Sequence, residues 1–236
     1  MSEGYPYNGV IIVNKEAGFT SHDVVAVMRG IFGQRKVGHT GTLDPQATGV
    51  LPICLGSATK QSEALSAKNK TYRTVLLLGK TTDTQDITGK VLSECEFSDA
   101  KDSNKKDEIL SVIKSFIGKQ EQIPPMYSAV KINGKKLYEL ARAGKEVERK
   151  PKSIEVYDIR VLSVELPRVE FEIDCSKGTY IRTICHDIGA HLGCGGCMES
   201  LVRLKSGEFD INIAHTLEQI RDKISEGNID EWLIKV

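Results

Sequence analysis

The run from Lys36 to Gly56, KVGHTGTLDPQATGVLPICLG, restricts the fold more than any other stretch of this 236-residue chain. Gly38, Gly41 and Gly49 let the backbone take positive φ or pass close to a ligand, and Pro45 stiffens the turn directly after Asp44. Val50, Leu51, Ile53, Cys54 and Leu55 then form a short apolar run, the pattern of a buried strand. A bent loop carrying one carboxylate is thereby set against a rigid support, which is what a reactive group requires. On spacing alone Asp44-Pro45 reads first as a turn starter, because Asp bonds its own backbone and Pro presets φ. The glycines make no nucleotide cradle: no Lys-Ser or Lys-Thr pair follows at the required spacing, and no dinucleotide fingerprint is present.

A chain of this length buries one good core, so a single domain over residues 1–236 is expected. With 40% apolar and 27% charged residues it reads as an ordinary globular protein, and no window is apolar enough to span a membrane. The start, MSEGYPYNG, lacks the basic beginning and apolar centre of an export signal, so a cytoplasmic location is expected. Six scattered cysteines then read as reduced thiols. Cys194-Gly-Gly-Cys197 has metal-ligand spacing, with Cys185, His186 and His191 near in sequence, but one such pair without a second is a weak zinc signal. It is read as a Gly-rich turn carrying thiols, and no metal is expected.

Lysines and arginines equal acids at 32 each, which argues against indiscriminate coating of nucleic acid; their distribution is uneven. Residues 119–152 hold nine bases against four acids, residues 60–80 five against one, and residues 208–236 seven acids against three bases. A surface that meets phosphates would be polarised in this way, and so would a solvated helix face.

Along the chain, residues 10–14 read as a strand, and Thr20 or Ser21 caps a helix to about Phe32 with Val24, Val25, Val27, Met28, Ile31 and Phe32 buried. Ser57 starts a second helix to about Ser66, and residues 71–79 form a strand. Tyr72 opens that strand between basic residues, either as a half-buried edge tyrosine or as a ring offered to a base. Asp83 and Asp86 lie in the loop 81–89, where either suits an Asx-type turn. Ser103 caps a helix whose apolar face is Ile109, Leu110, Ile113, Phe116 and Ile117. Pro124-Pro125 breaks regular structure, Asn133-Gly134 is a hairpin turn, and residues 136–143 form a short helix, so residues 120–152 read as a basic inserted flap. Two strands around Pro167 pair antiparallel, Thr179 caps a helix to about residue 189, and residues 216–225 form the last helix. Unaided, Arg182 reads as a surface ion-pair residue and Leu201 as core.

GHTGTLDPQATGVLPICLG resembles the active-site motif of the TruB family, the tRNA pseudouridine synthases that modify uridine 55. KTYR, TTDTQDITG, the segment QIPPMYSAVKINGKKLYELARAG, CSKGTYIRT and LVRLKSG resemble further segments of the same family, so the likeness covers nearly the whole chain. It implies a mixed α/β fold: a central, mostly antiparallel mixed sheet flanked by helices, with residues 120–152 as an inserted basic thumb that grips an RNA stem-loop. It makes Asp44 the catalytic carboxylate, Tyr72 the residue against the flipped uracil and a candidate proton acceptor, and Arg182 the arginine that pairs with the catalytic aspartate. His39 would prop open the RNA loop, unless it is simply a satisfied loop histidine. Tyr180 would floor the base pocket, Leu201 would line it, and Asp86 would be the charge partner of an active-site arginine. Lys15 would join the substrate-binding residues, although Glu16 replaces the proline that often follows it. Many bacterial relatives continue into a C-terminal PUA domain, and none is expected here.

The reaction so implied breaks the N1 glycosidic bond, turns the uracil and joins C5 to the sugar. No atom is gained or lost, so no cofactor is expected. The expected partner is the T stem-loop of tRNA, bound by a monomer that needs no membrane and no second protein. The alternatives are an RNA-binding or tRNA-folding module and a synthase directed by a separate guide RNA; DPQATGVLP resembles the stand-alone bacterial form more closely.

Overall fold

The computed structural model describes residues 5–97, 103–132 and 134–236. From its start the chain runs through strand β1 (Gly9–Lys15), helix α1 (Ser21–Phe32), β2 (Val37–His39) and β3 (Thr48–Leu55). α1 begins at a capping box: the Thr20 hydroxyl accepts from the Asp23 N–H, the Asp23 carboxylate accepts from the Thr20 N–H, and Gly33 ends the helix in the left-handed region. Its buried face is Val24, Val25, Met28 and Phe32, while Val27 and Ile31, expected to be buried with them, are half-exposed. The helix expected from Ser57 is instead a 3-10 segment over Gly56–Gln61 that runs into α2 (Ser62–Ser66). Thr59 Oγ1 donates to the Gly56 carbonyl and Ser62 Oγ to the Thr59 carbonyl, each three residues back, where the tighter turn brings them within reach.

Strands β4 (Lys70–Leu78), β5 (Lys80–Thr82) and β6 (Val91–Glu94) follow, then α3 (Ser103–Ser115) and β7 (Gly118–Gln122). α3 ends before Phe116 and Ile117; Ile109, Ile113 and Phe116 are buried, and Ile117 is exposed, so the expected apolar face is one residue too long. Within residues 120–152, expected to be an inserted flap, lie β8 (Lys131–Ile132), β9 (Lys135–Lys136) and the short α4 (Leu137–Arg142). β8 and β9 pair antiparallel with Gly134 between them at φ 80; Asn133 of the expected turn lies outside the described residues. β10 (Lys152–Glu165), β11 (Arg168–Cys175), α5 (Ile181–His191), β12 (Gly196–Ser206), β13 (Phe209–Asp210) and α6 (Leu217–Ser225) complete the order. The residue before α5 is Tyr180, with no side-chain cap, and Thr179 is spent otherwise: its hydroxyl donates to the Ser176 carbonyl, closing the turn out of β11.

The chain divides into two compact units, Met1–Tyr72 with Leu201–Val236, and Arg73–Ser200. In the first unit β3 is the central strand. β1 lies antiparallel to it from Gly9 opposite Leu55 to Lys15 opposite Gly49, β2 also pairs it antiparallel, and β12 runs parallel with Val202 opposite Thr48 and Arg203 opposite Gly49. Val10, Ile12, Val50, Cys54, Ala58, Leu65 and Phe209 are buried together. In the second unit β4, β11, β10 and β7 lie side by side, with β10 antiparallel to both β11 and β7. Val169, Phe171, Ile173 and Cys175 alternate inward along β11, as a one-face strand requires. The whole is a mixed α/β architecture. No helix among the described residues is long and apolar enough to cross a membrane.

Candidate active site

In the first unit the loop between β2 and β3, residues 40–47, is fixed by polar groups that reach it from three directions. From the end of β1, Lys15 Nζ donates to the Pro45 carbonyl at 2.9 Å, and to the Glu16 and Phe19 carbonyls at 2.8 and 2.6 Å. From the start of α1, Ser21 Oγ accepts from the Leu43 N–H at 2.9 Å and donates to the Leu43 carbonyl. From β12, Arg203 Nη2 donates to the Gly41 carbonyl at 3.2 Å and Nε to the Val50 carbonyl at 2.7 Å. Lys15 and Arg203 are each only 1% exposed. Burying two cations in this way is tolerable only because their protons meet carbonyl oxygens.

Asp44 sits at the bend of this loop, half-buried, with its own carbonyl accepting from the Ala47 N–H. Burial pushes the Lys15 ammonium down to about 8; the negative charge of Asp44 opposes that shift, and Arg203 adds to it. Asp44 therefore lies within electrostatic reach of a buried ammonium. His39 ends β2 half-buried, with its ring edge-on to His22 at 5.2 Å between centroids. Burial, and then the charges of His22 and Arg203, hold its imidazole below the usual value, which favours the neutral ring. Tyr72 near the start of β4 and Leu201 in β12 are both buried.

In the second unit the structure brings Arg182, Asp86 and Tyr180 to the start of α5. Arg182 is 4% exposed, not a surface residue. Its Nη1 donates to the Thr84 carbonyl at 2.9 Å and lies 3.6 Å from Asp86 Oδ2, and its Nη2 donates to the Tyr127 carbonyl at 2.9 Å. Asp86 is at once an ion-pair partner and a turn former: its Oδ1 accepts from the Thr84 hydroxyl and from the N–H and hydroxyl of Thr88. Asp83 takes a different part, accepting from the Lys90 N–H across the base of the β5–β6 hairpin. Gln85, between them, sits at φ 64, a conformation that non-glycine residues seldom adopt, and its side chain accepts from Thr183 in α5. Tyr180 is half-buried, and both its N–H and its carbonyl are bonded to the side chain of Gln122.

Lys15, expected to touch substrate, is turned inward and is a holder of the Asp44 loop. Arg203 and Gln122 carry holding roles that sequence reading missed. Alternation along β12 puts Arg203 on the same face as buried Leu201, and that was the available signal; Gln122 gave none, because its partner is 58 positions away. Among the described residues no group of three or more His, Cys, Asp or Glu could hold a metal ion, and Cys197 is buried while Cys194 Sγ donates to the Gly195 carbonyl.

Residues 29–181 match the model of the TruB family pseudouridylate synthase N-terminal domain, and residues 182–236 match that of the tRNA pseudouridylate synthase B C-terminal domain. The chain belongs to the TruB family. Among its TruB relatives, the tRNA pseudouridine synthase B of Geotalea uraniireducens is 50% identical over 227 residues, covering 96% of this chain and 72% of that protein. The protein of the same name from Clostridium tetani is 52% identical over 229 residues, covering 96% and 76%. Among solved structures, a chain from the crystal structure of a Cbf5-Nop10-Gar1 complex superposes with a TM-score of 0.73 at 34% identity, over 95% of this TruB chain and 57% of that one. A chain from an H/ACA RNP bound to a substrate RNA containing 2'-deoxyuridine gives 0.71 at 29% identity, over 96% and 59%.

Proposed function

We propose that this TruB chain isomerises uridine to pseudouridine at position 55 in the T loop of tRNA. The observation that carries the reading is the half-buried carboxylate of Asp44 on a loop fixed by Lys15, Ser21 and Arg203, in a chain about half identical to proteins named tRNA pseudouridine synthase B. Asp44 is the nucleophile: a carboxylate on a restrained loop needs little reorganisation at the moment of attack. The target uridine leaves its stack at a cost of a few kcal/mol, and Tyr72, Tyr180 and Leu201 receive it, with an aromatic stack returning about 1–3 kcal/mol. Arg182 supplies the guanidinium that steadies negative charge during the reaction, and Asp86 keeps that guanidinium in place. Tyr72 is the candidate acceptor of the C5 proton, and neutral His39 contacts the opened RNA loop.

The chemistry is an isomerisation. The glycosidic bond to N1 breaks, a bond from the same sugar carbon to C5 forms, and the proton leaving C5 is balanced by one gained at N1, so the residues need no cofactor. The inserted segment 120–152 meets phosphates and fixes position without reading sequence. The protein acts in the cytoplasm as a monomer without a protein partner. The test is incubation of unmodified tRNA with the protein alone, followed by mapping of pseudouridine: conversion at position 55 alone is expected. Binding without conversion would favour an RNA-binding module.

A second reading, a synthase working inside a ribonucleoprotein, is favoured by the superposition on the chain from the Cbf5-Nop10-Gar1 complex. The higher identity to tRNA pseudouridine synthase B places it second. Conversion that required a guide RNA or added proteins would reverse the order.

A further inference from the structure

β7 ends at Gln122, which is 3% exposed and whose side chain turns onto the main chain of Tyr180. Gln122 Oε1 accepts from the Tyr180 N–H at 2.8 Å, and Nε2 donates to the Tyr180 carbonyl at 3.0 Å. One side-chain amide thus makes the double bond pattern that a neighbouring strand would make. Tyr180 precedes the first turn of α5 without a side-chain cap, and its carbonyl, which accepts from the Thr183 and Ile184 N–H groups of that turn, also accepts from the Gln122 amide.

The same stretch holds Arg182, two residues on, whose Nη2 donates to the Tyr127 carbonyl. Gln122 and Tyr127 bracket Pro124-Pro125, both buried, which have fixed φ and no N–H, so the spacer between the two grips is stiff. Beyond it the Tyr138 N–H donates to the Ser128 carbonyl and the Leu137 N–H to the Val130 carbonyl, and Arg149 Nη1 donates to the Pro124 carbonyl. Gln122 is also the register partner of Lys152, where the chain returns to the sheet. The segment is therefore tied through the Gln122 amide to the main chain of Tyr180 and through the Tyr127 carbonyl to the side chain of Arg182.

We propose that Gln122 is a positioning residue for the uridine isomerisation, setting Tyr180 and Arg182 from the root of the RNA-gripping segment. This rests on the function proposed above. The prediction is a loss in the chemical step with binding kept.

The experiment uses the whole chain and unmodified tRNA, with steady-state and single-turnover rates for wild type, Gln122→Ala and Gln122→Glu. Gln122→Ala should lower kcat by on the order of 10–100-fold and leave KM within about threefold. Gln122→Glu is nearly isosteric. When ionised it offers no donor to the Tyr180 carbonyl, and when protonated it reproduces both bonds, so its rate relative to wild type should climb as pH is lowered from 8 to 6, while that of Gln122→Ala stays level. Should Gln122→Ala not fold, the pH trend of Gln122→Glu decides. Rates within about twofold of wild type for both variants, a loss carried by KM alone, or a level ratio for Gln122→Glu would overturn the proposal. A wild type that forms no pseudouridine would instead remove the function on which it rests.

Discussion

Arg203 and Gly49 face each other in register on parallel strands so closely that a Cβ built on Gly49 would collide with the Arg203 carbonyl oxygen. Gly49 is also opposite Lys15 on the other side and sits at φ 98, where side chains are rarely accommodated. The two buried cations that hold the Asp44 loop thus flank one glycine. Gly49→Ala is predicted to destabilise the fold by at least about 2 kcal/mol, because backbone, not a flexible side chain, stands in the way. Urea unfolding checks this, and a midpoint like that of wild type would contradict it.

Lys15 makes a pH prediction. Three carbonyls use all three protons of its ammonium, and burial pushes its pKa from 10.5 down to about 8. Above about pH 8 one of those bonds is lost and the Asp44 loop slackens, so turnover should fall with a midpoint near 8. Stability moves the other way for this group. Its folded value lies below its unfolded one, so between about 8 and 10.5 the unfolded chain binds the extra proton and the Lys15 contribution to folding rises with pH. The check is a pH–rate profile for wild type and Lys15→Met, with urea midpoints alongside. The fall near pH 8 should be absent from the variant; a fall shared by both would assign it to another group.

The exposed lysines of the β8–β9 hairpin, Lys131 and Lys135, point to a phosphate-contacting role. Lys131→Ala with Lys135→Ala should raise KM for tRNA several-fold while kcat stays within about twofold, and should flatten the slope of log affinity against log salt by about 1–2. Filter binding from low to moderate salt measures that slope. An unchanged slope would place these residues away from the nucleic acid.

Much of the fold was legible because its signals are local. The apolar run 50–55 became β3, Thr20 closed a capping box, and the strands around Pro167 paired as their alternation required. Local chemistry also explains the errors: short-range hydroxyl bonds turned the start of the expected second helix into a 3-10 segment, and Thr179 was used by the turn out of β11. The candidate site was legible mainly as motif residues. What holds them was not, because Lys15 meets Pro45 across 30 positions, Arg203 meets Gly41 across 162 and Arg182 meets Thr84 across 98. Such bonds exist only once the sheet has formed, and no window of sequence contains both ends.

The most direct test of Asp44 as the nucleophile compares wild type with Asp44→Asn for tritium release from tRNA carrying 5-tritiated uridine, with tRNA binding measured in parallel. The change removes the charge and almost nothing of the shape, so binding should persist while release drops to background. Release by Asp44→Asn at the wild-type rate would contradict the assignment.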